Sequence, residues 1–536
     1  MSIYSPPNLY HAEGSPVYVR TTMPGLLFRQ VEPLGLLLAF AVLLPFFAPA
    51  AGARVYTLTT TADDTAANGN CTLREALRAA RSDVAIDACL PGEDADTIVL
   101  PAGTYSFSGQ EALEADTVLE IRGQATDPAA ATVDLQGAGR FLAISGSGGA
   151  ASLTLRGFTV ANGHSSEPGG AVWSNEAALI LDRMRFVSNH SADLGGAVMA
   201  YTNVLGSFDA SRTAFLANSA GGRGGGLWVS AAAGAVRLRD LVFQLNSVTA
   251  AGSHIDAWAG GLYLEAFSPV SAVVERCEFS QNSVTANGGT MATAAFGGGA
   301  YFTAGGGTIR LFDSVFLANA ASVAADTGPA QISAFHANAY NGGRVYLDRI
   351  LVDVSASSYA NGSRDVDLFA ASGGSVLLAN AQVTFGSWNG IQAGATADGL
   401  VEVVGTTVAD YPSGVGVTLD SFPGGTVAMR NSLLALNGDD LDSLGDGIFL
   451  ADNCIGPIAG EFPGFVNVPG GNYRLRPTSA AVDAALLAAI AGPFDRDHAP
   501  RLVGADPDCG AYESGGLFAD GFEAGDTGIW SATTGG

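Results

Sequence analysis

The chain has 536 residues, 48% of them hydrophobic and only 14% charged, with 71 glycines and a formal net charge of −26. Every basic residue other than histidine is arginine, and a surface this acidic repels phosphate backbones, which argues against a nucleic-acid partner. This length ordinarily means several domains, but a solenoid escapes that expectation because each repeat needs only its neighbours.

In chain order, the first feature is an apolar run from Leu34 to Phe47, followed by the small-x-small site Ala51-Gly52-Ala53. It has the length of a signal-peptide core, and its prolines together with the lack of a close basic stop disfavour a membrane span. Residues 1–53 therefore read as a signal peptide with an upstream segment, starting at Met1 or Met23. The mature chain begins near Arg54, has no transmembrane anchor, and lies outside the cytoplasm, secreted or on the outer cell surface. Five cysteines fit that compartment. Cys71 and Cys89 could close a short loop and Cys454 and Cys509 could pair near the other end, with Cys277 left over as a small buried residue or an intermolecular partner.

Residues 54–100 read as an N-terminal cap. Within them, NCTLREALRAARSD places Thr72 and Glu75 at capping-box spacing. Leu73, Ala76, Leu77 and Ala80 fall on one helix face, suited to covering the open end of a stack.

Repeats fill residues 101–470. Aligned on Phe186, Phe215, Phe243, Phe279 and Phe316, the chain shows asparagine three residues on, at Asn189, Asn218, Asn246, Asn282 and Asn319. Aliphatics precede each phenylalanine with strand alternation, as in Leu179 and Leu181 or Ile309 and Leu311, and a glycine pair stands further upstream. No helical period fits. Strands this short bury themselves only by stacking, each beside its copy one coil away, so phenylalanine piles on phenylalanine and asparagine on asparagine. The asparagines suit a corner with left-handed backbone, and the glycine pairs another corner. The expected fold is all-β: a single-stranded, right-handed parallel β-helix (a solenoid) with a short N-terminal capping helix. The charged column Arg183, Arg212, Asp240, Arg276 and Asp313 reads as a ladder that pairs across coils.

Between asparagine and the next glycine pair, three coils carry insertions that bring His254, Asp256, Trp258, Phe296, Phe335, His336 and Tyr340 to one side. Aromatic rings with polar neighbours suit sugar rings, making these the candidate glycan-binding residues; packing of the inserts on the helix is the alternative. Further on, NGDDLDSLGDG gathers Asp439, Asp440, Asp442 and Asp446. The EF-hand template fails there at Leu444 and Ala451, leaving an irregular Ca²⁺ loop or a solvated turn. No cofactor is required by this reading, and Ca²⁺ is the one candidate. Residues 471–514 form a C-terminal cap, whose acidic run Asp495-Arg496-Asp497-His498 reads as an ion-pair brace, and 515–536 a tail.

Three stretches resemble known families. GGAV and FVSN are similar to the GGAI and FxxN repeats of bacterial polymorphic outer-membrane proteins, which are surface β-helices. NCTLREA resembles the CSLREA motif of secreted bacterial β-helix proteins. The ending with Asp508-Cys509-Gly510-Ala511-Tyr512-Glu513 resembles a choice-of-anchor Q region. The resemblances imply a secreted or surface β-helix, and with the aromatic insertions the expected function is contact with a polysaccharide or with a host or neighbouring cell surface, adhesin-like or envelope-associated and non-catalytic. The alternative is a lyase or glycoside hydrolase acting on acidic glycans. That chemistry needs converging carboxylates, and no repeat strand carries such a cluster; His-Glu-x-x-His, Gly-x-Ser-x-Gly and Cys-x-x-Cys are missing from the sequence.

Overall fold

The computed structural model describes residues 52–113, 116–146, 151–252, 257–288, 294–323, 331–354, 364–386, 388–454 and 463–514. One coil shows how the backbone winds. Ala178–Asp182 lies in a first sheet, Arg185–Val187 in a second, His190–Ser191 in a short side sheet and Val198–Thr202 in a third; Ser207–Ser211 then returns to pair in parallel with Ala178–Asp182. Repetition of this path builds a parallel β-helix. The first sheet runs from Ala53–Thr57 to Ile448–Asp452, the second from Gly103–Ser106 to Leu433–Ala435, and the third from Glu111–Leu113 to Asp439–Leu444. Stacking thus begins inside the segment expected to be a cap, because Ala53–Thr57 already pairs with Ala95–Leu100.

The interior follows from strand parity. Phe186, Phe215, Phe243, Phe279 and Phe316 are fully buried and stack with centroid separations of 5.3, 4.9, 4.9 and 4.5 Å. Beside them the asparagines form a continuous hydrogen-bonded file. Each amide nitrogen donates to a main-chain carbonyl of the preceding coil, and those of Asn189, Asn218, Asn246 and Asn282 also donate to the side-chain oxygen of the next asparagine at 2.9–3.0 Å. The left-handed backbone expected of the asparagines belongs to their predecessors Ser188, Ala217, Leu245, Gln281 and Ala318, with φ of 51–58°. That single turn swings the asparagine side chain inward, where every donor and acceptor finds a partner.

The charged column also sits at a corner. Arg183, Arg212, Asp240, Arg276 and Asp313 have φ of 50–56°, and ion pairs cross coils there: Arg212 to Asp182 at 2.6 Å, Arg276 to Asp240 at 2.7 Å and Arg349 to Asp313 at 2.7 Å. At the corner before the third sheet, a Cβ on Gly196 would collide with the Gly225 carbonyl, so successive backbones meet there without side chains.

At the start of the stack, Leu73–Ser82 is a helix with both capping-box bonds between Thr72 and Glu75. Its Leu73, Ala76, Leu77 and Ala80 join the interior of the coils. Arg74 is buried: it bridges Asp63 at 2.6 Å and Glu111 at 2.7 Å and lies over the Phe107 ring. Cys71 and Cys89 form a disulfide, as do Cys454 and Cys509, and Cys277 is a buried free thiol. Two disulfides fit an extracellular protein. Among the described residues, no helix is long and apolar enough to cross a membrane.

Residues 463–514 do not close the far end. They lie along the outer face of the second sheet, packing Phe465, Tyr473, Leu475 and Cys509 against Ala409, Leu433 and Ala435. Tyr512 donates to Gln382, and Ala511 N–H to Thr407 Oγ1. A buried Arg501–Glu513 pair at 3.0 Å holds the segment together. His498 reaches back to Asp313 at 3.2 Å, and Asp497 pairs with Arg474. Its flank-bracing role follows from small, polar outward residues on those strands, which leave room for a covering layer.

Candidate functional site

Alternation in the third sheet sends one residue per coil outward next to the glycine corner. In register these are Trp173, Met199, Trp228, Tyr263, Tyr301, His336 and Asp367. The next outward file holds Tyr201, Ser230, Glu265, Thr303, Asn338 and Phe369. The insertions form a wing beside this face. Ser247–Gly252, Ser283–Gly288 and Ala320–Val323 run outward in parallel, while Ala257–Trp258, Ala294–Phe296 and the start of Gln331–Tyr340 return. Alanines and valines, among them Val248, Ala250, Val284 and Ala295, fill the space between.

The returning strands lay aromatic rings against the sheet. Trp258 stacks 5.7 Å from Tyr301 and 6.3 Å from Tyr263, Phe296 meets His336 at 4.8 Å, and His336 stacks on Tyr301 at 4.6 Å. The Arg223 guanidinium sits 3.6 Å above Trp258. Trp228, Tyr263 and Tyr301 are buried by this second, external core, whereas Trp258, Phe296 and Tyr340 stay partly open to solvent.

Polar groups thread through the rings. His336 Nδ1 lies 3.0 Å from Asp367 Oδ2, and Arg364 Nε lies 3.4 Å from the same oxygen. Asn338 donates to the Tyr301 hydroxyl at 2.8 Å and faces His336 Nε2 at 3.3 Å. Ser230 donates to Glu265 at 3.1 Å. Burial pushes the Glu265 carboxyl up. Burial works the same way on Asp367, but Arg364 and His336 outweigh it and hold that carboxyl below its ordinary range. Trp228 Nε1, Trp258 Nε1 and Asn338 Oδ1 are buried without a hydrogen-bond partner among the described residues, an expensive arrangement for polar atoms unless a ligand or water meets them.

Of the candidate glycan-binding residues, Trp258, Phe296 and His336 come together here, and Tyr340 packs with Phe267 over Gly305 at the far side of the same strands. His254 and Asp256 lie outside the described residues. Phe335 is a correction: strand parity points it inward, fully buried, with its ring 4.8 Å from Phe316 and 5.6 Å from Phe302. Arg223, Tyr263, Glu265, Tyr301 and Asn338 were missed. For Tyr263 and Tyr301 the signal was the residue just after GGAV, GGL and GGA, aromatic in four of five coils, which reads as core until the strand phase is known; Arg223, Glu265 and Asn338 carried no such signal.

The candidate Ca²⁺ residues do not form a loop. Asp439, Asp440 and Asp442 lie on the strand Asp439–Leu444, where extended backbone spreads them, and Asp446 follows in the turn. Asp440 accepts from Asn437, and Asp442 from the Ser443 N–H. Among the described residues, no three His, Cys, Asp or Glu side chains converge to hold a metal ion.

A scan against protein-family models finds no match, and no curated protein matches the chain. Two solved structures are similar. One is the catalytic unit of a thermostable GH87 alpha-1,3-glucanase from Streptomyces thermodiastaticus strain HF3-3, with 14% identity and a TM-score of 0.33, covering 68% of this chain. The chain spans 61% of that unit's length. The other is pectate lyase Pel9A, with 12% identity and a TM-score of 0.35, covering 86% of this chain and 96% of the lyase.

Proposed function

We propose that the chain is a secreted or cell-surface protein that acts by contact, binding a polysaccharide along the outer face of its third sheet beside the wing. One observation carries the reading: partly open rings at Trp258 and Phe296 border buried, unpartnered hydrogen-bonding atoms at Trp258 Nε1 and Asn338 Oδ1. Sugar rings offer both an apolar face for the aromatic surface and hydroxyls for the unpartnered groups. The test is retention of the mature chain on a glycan array, with Trp258→Ala and Asn338→Ala variants whose folding is checked by circular dichroism. A loss of at least tenfold in either folded variant is expected. Unchanged binding in both, or no glycan retained by the wild-type chain, overturns the reading.

Cleavage is the second reading, favoured by the opposite displacement of Glu265 and Asp367 on one face, a pattern that can divide acid from base roles. Distance counts against it. The two residues stand three coils apart, about 14 Å at about 4.8 Å per coil, whereas a cleaving pair of carboxyls stands roughly 5–9.5 Å apart. Incubation with polyuronates and neutral glucans, with and without Ca²⁺, separates the readings: released unsaturated or reducing ends would establish catalysis.

A further inference from the structure

The two ends of the stack are treated differently. A helix covers the first coils, while at the other end Asp439–Leu444 pairs only with Val415–Ser421 and Ile448–Asp452 only with Thr426–Arg430 among the described residues. Among the described residues each is the last strand of its sheet, and an edge of this kind offers N–H and C=O groups that template another strand. The edge carries apolar surface as well: Leu444, Ile448 and Leu450 are 54%, 57% and 37% exposed.

Charge identifies the occupant. From residue 431 to 473 the sequence contains no Arg, Lys or His, but it contains Asp439, Asp440, Asp442, Asp446, Asp452 and Glu461. Arg430, the last basic residue before this stretch, is shared between Glu402 and Asp452 at 3.9 Å each. A second copy would bring the same charges to this end, and its opposite end is covered. The chain's own tail, residues 515–536, adds Asp520, Glu523 and Asp526 with no basic residue. Each is repelled at close range.

We propose that the open edge of Asp439–Leu444 docks a basic, extended polypeptide segment, which adds as a further strand to the third sheet. The register specifies its pattern. Leu441 continues the inward file of Val417, while Asp442 and Leu444 continue the outward file of Thr418 and Asp420. A matching strand therefore alternates, with basic side chains outward against Asp440 and Asp442 and apolar ones inward over Leu441. The aspartates thus keep the edge free of copies of this chain and select for positive charge.

The full chain is titrated with a fluorescent Lys-Val-Lys-Val-Lys-Val peptide, a Glu-Val counterpart and a proline-interrupted Lys-Val peptide, while hydrogen exchange is followed at residues 439–444. Saturable binding of the first peptide alone is expected, with exchange on that strand slowed at least tenfold. Asp440→Asn with Asp442→Asn should weaken binding at least tenfold. Binding without slowed exchange at 439–444, or equal binding of the acidic or proline-interrupted peptide, overturns the proposal. So does protection, in the free monomer, of those N–H groups of the strand that do not bond to Val415–Ser421, or self-association of the free chain through this end.

Discussion

Asn246 offers the sharpest test of what holds the coils in register. Its side chain makes four hydrogen bonds while fully buried: Nδ2 donates to Asn282 Oδ1 at 2.9 Å and to the Phe215 carbonyl at 2.8 Å, and Oδ1 accepts from both the Asn218 N–H and the Asn218 amide at 3.0 Å. In Asn246→Ala, the Asn282 oxygen keeps the Asn246 N–H at 3.0 Å. The Asn218 N–H, one Asn218 amide hydrogen and the Phe215 carbonyl lose their partner. At about 1–3 kcal/mol for each buried orphan, with partial relief from water entering the vacancy, the expected loss is roughly 3–6 kcal/mol. Long repeat arrays need not unfold in one step, so guanidinium unfolding is paired with hydrogen exchange at Asn218, which should open first. Arg237→Ala, an exposed outward position, serves as control and should stay within about 0.5 kcal/mol. A loss below about 1 kcal/mol in Asn246→Ala, with unchanged exchange at Asn218, would refute the claim that the amide file ties the coils together.

Asp365 is buried and accepts from Tyr411 at 2.5 Å, and burial lifts its carboxyl to about 8. A carboxyl raised in the folded state stabilises fully below its unfolded value near pH 4, and that contribution is lost as pH rises through 8. At about 1.4 kcal/mol per pH unit the change is at most roughly 6 kcal/mol; Asp365→Asn should flatten it in urea titrations at pH 5 and pH 9. Arg501→Met strands Glu513 in a buried site and should cost about 3–5 kcal/mol, read as at least tenfold faster chymotryptic cleavage within 463–514, with partial recovery on adding Glu513→Gln. Burial pushes the Cys277 thiol up to about 12, so the native chain should resist iodoacetamide at pH 8, and rapid labelling would contradict its placement.

The stacked elements were legible because identical side chains recur at coil spacing: phenylalanine, asparagine and glycine each left a column. The left-handed residue before each asparagine left none, since Ser188, Ala217, Leu245, Gln281 and Ala318 share only a backbone angle. Strand phase was the other hidden variable. Phe335 and His336 are adjacent, yet one belongs to the core and the other to the outer face, and the insertion around them breaks the spacing that would have told them apart. Longer-range fits were invisible too. Tyr411 reaches Asp365 across the corner at Gly386, where a Cβ would strike the Tyr411 ring; no local pattern announces a glycine kept for a side chain in the next coil.

The three faces of the stack are not equally free to take on a ligand. On the first sheet and its corner, several arginines pair with carboxylates of neighbouring coils, as in Arg156 with Glu120 and Asp182 or Arg239 with Asp209. The second sheet is overlaid along its last coils by residues 463–514. Among the described residues the third sheet is flanked by insertions that return aromatic rings to it, and Trp228 Nε1, Trp258 Nε1 and Asn338 Oδ1 are left without partners inside that packed layer. Packing by itself favours satisfied or apolar groups at such positions. Trp258 and Asn338 depart from that rule on the same face, and the proposed sugar chain would bring hydroxyls to meet both.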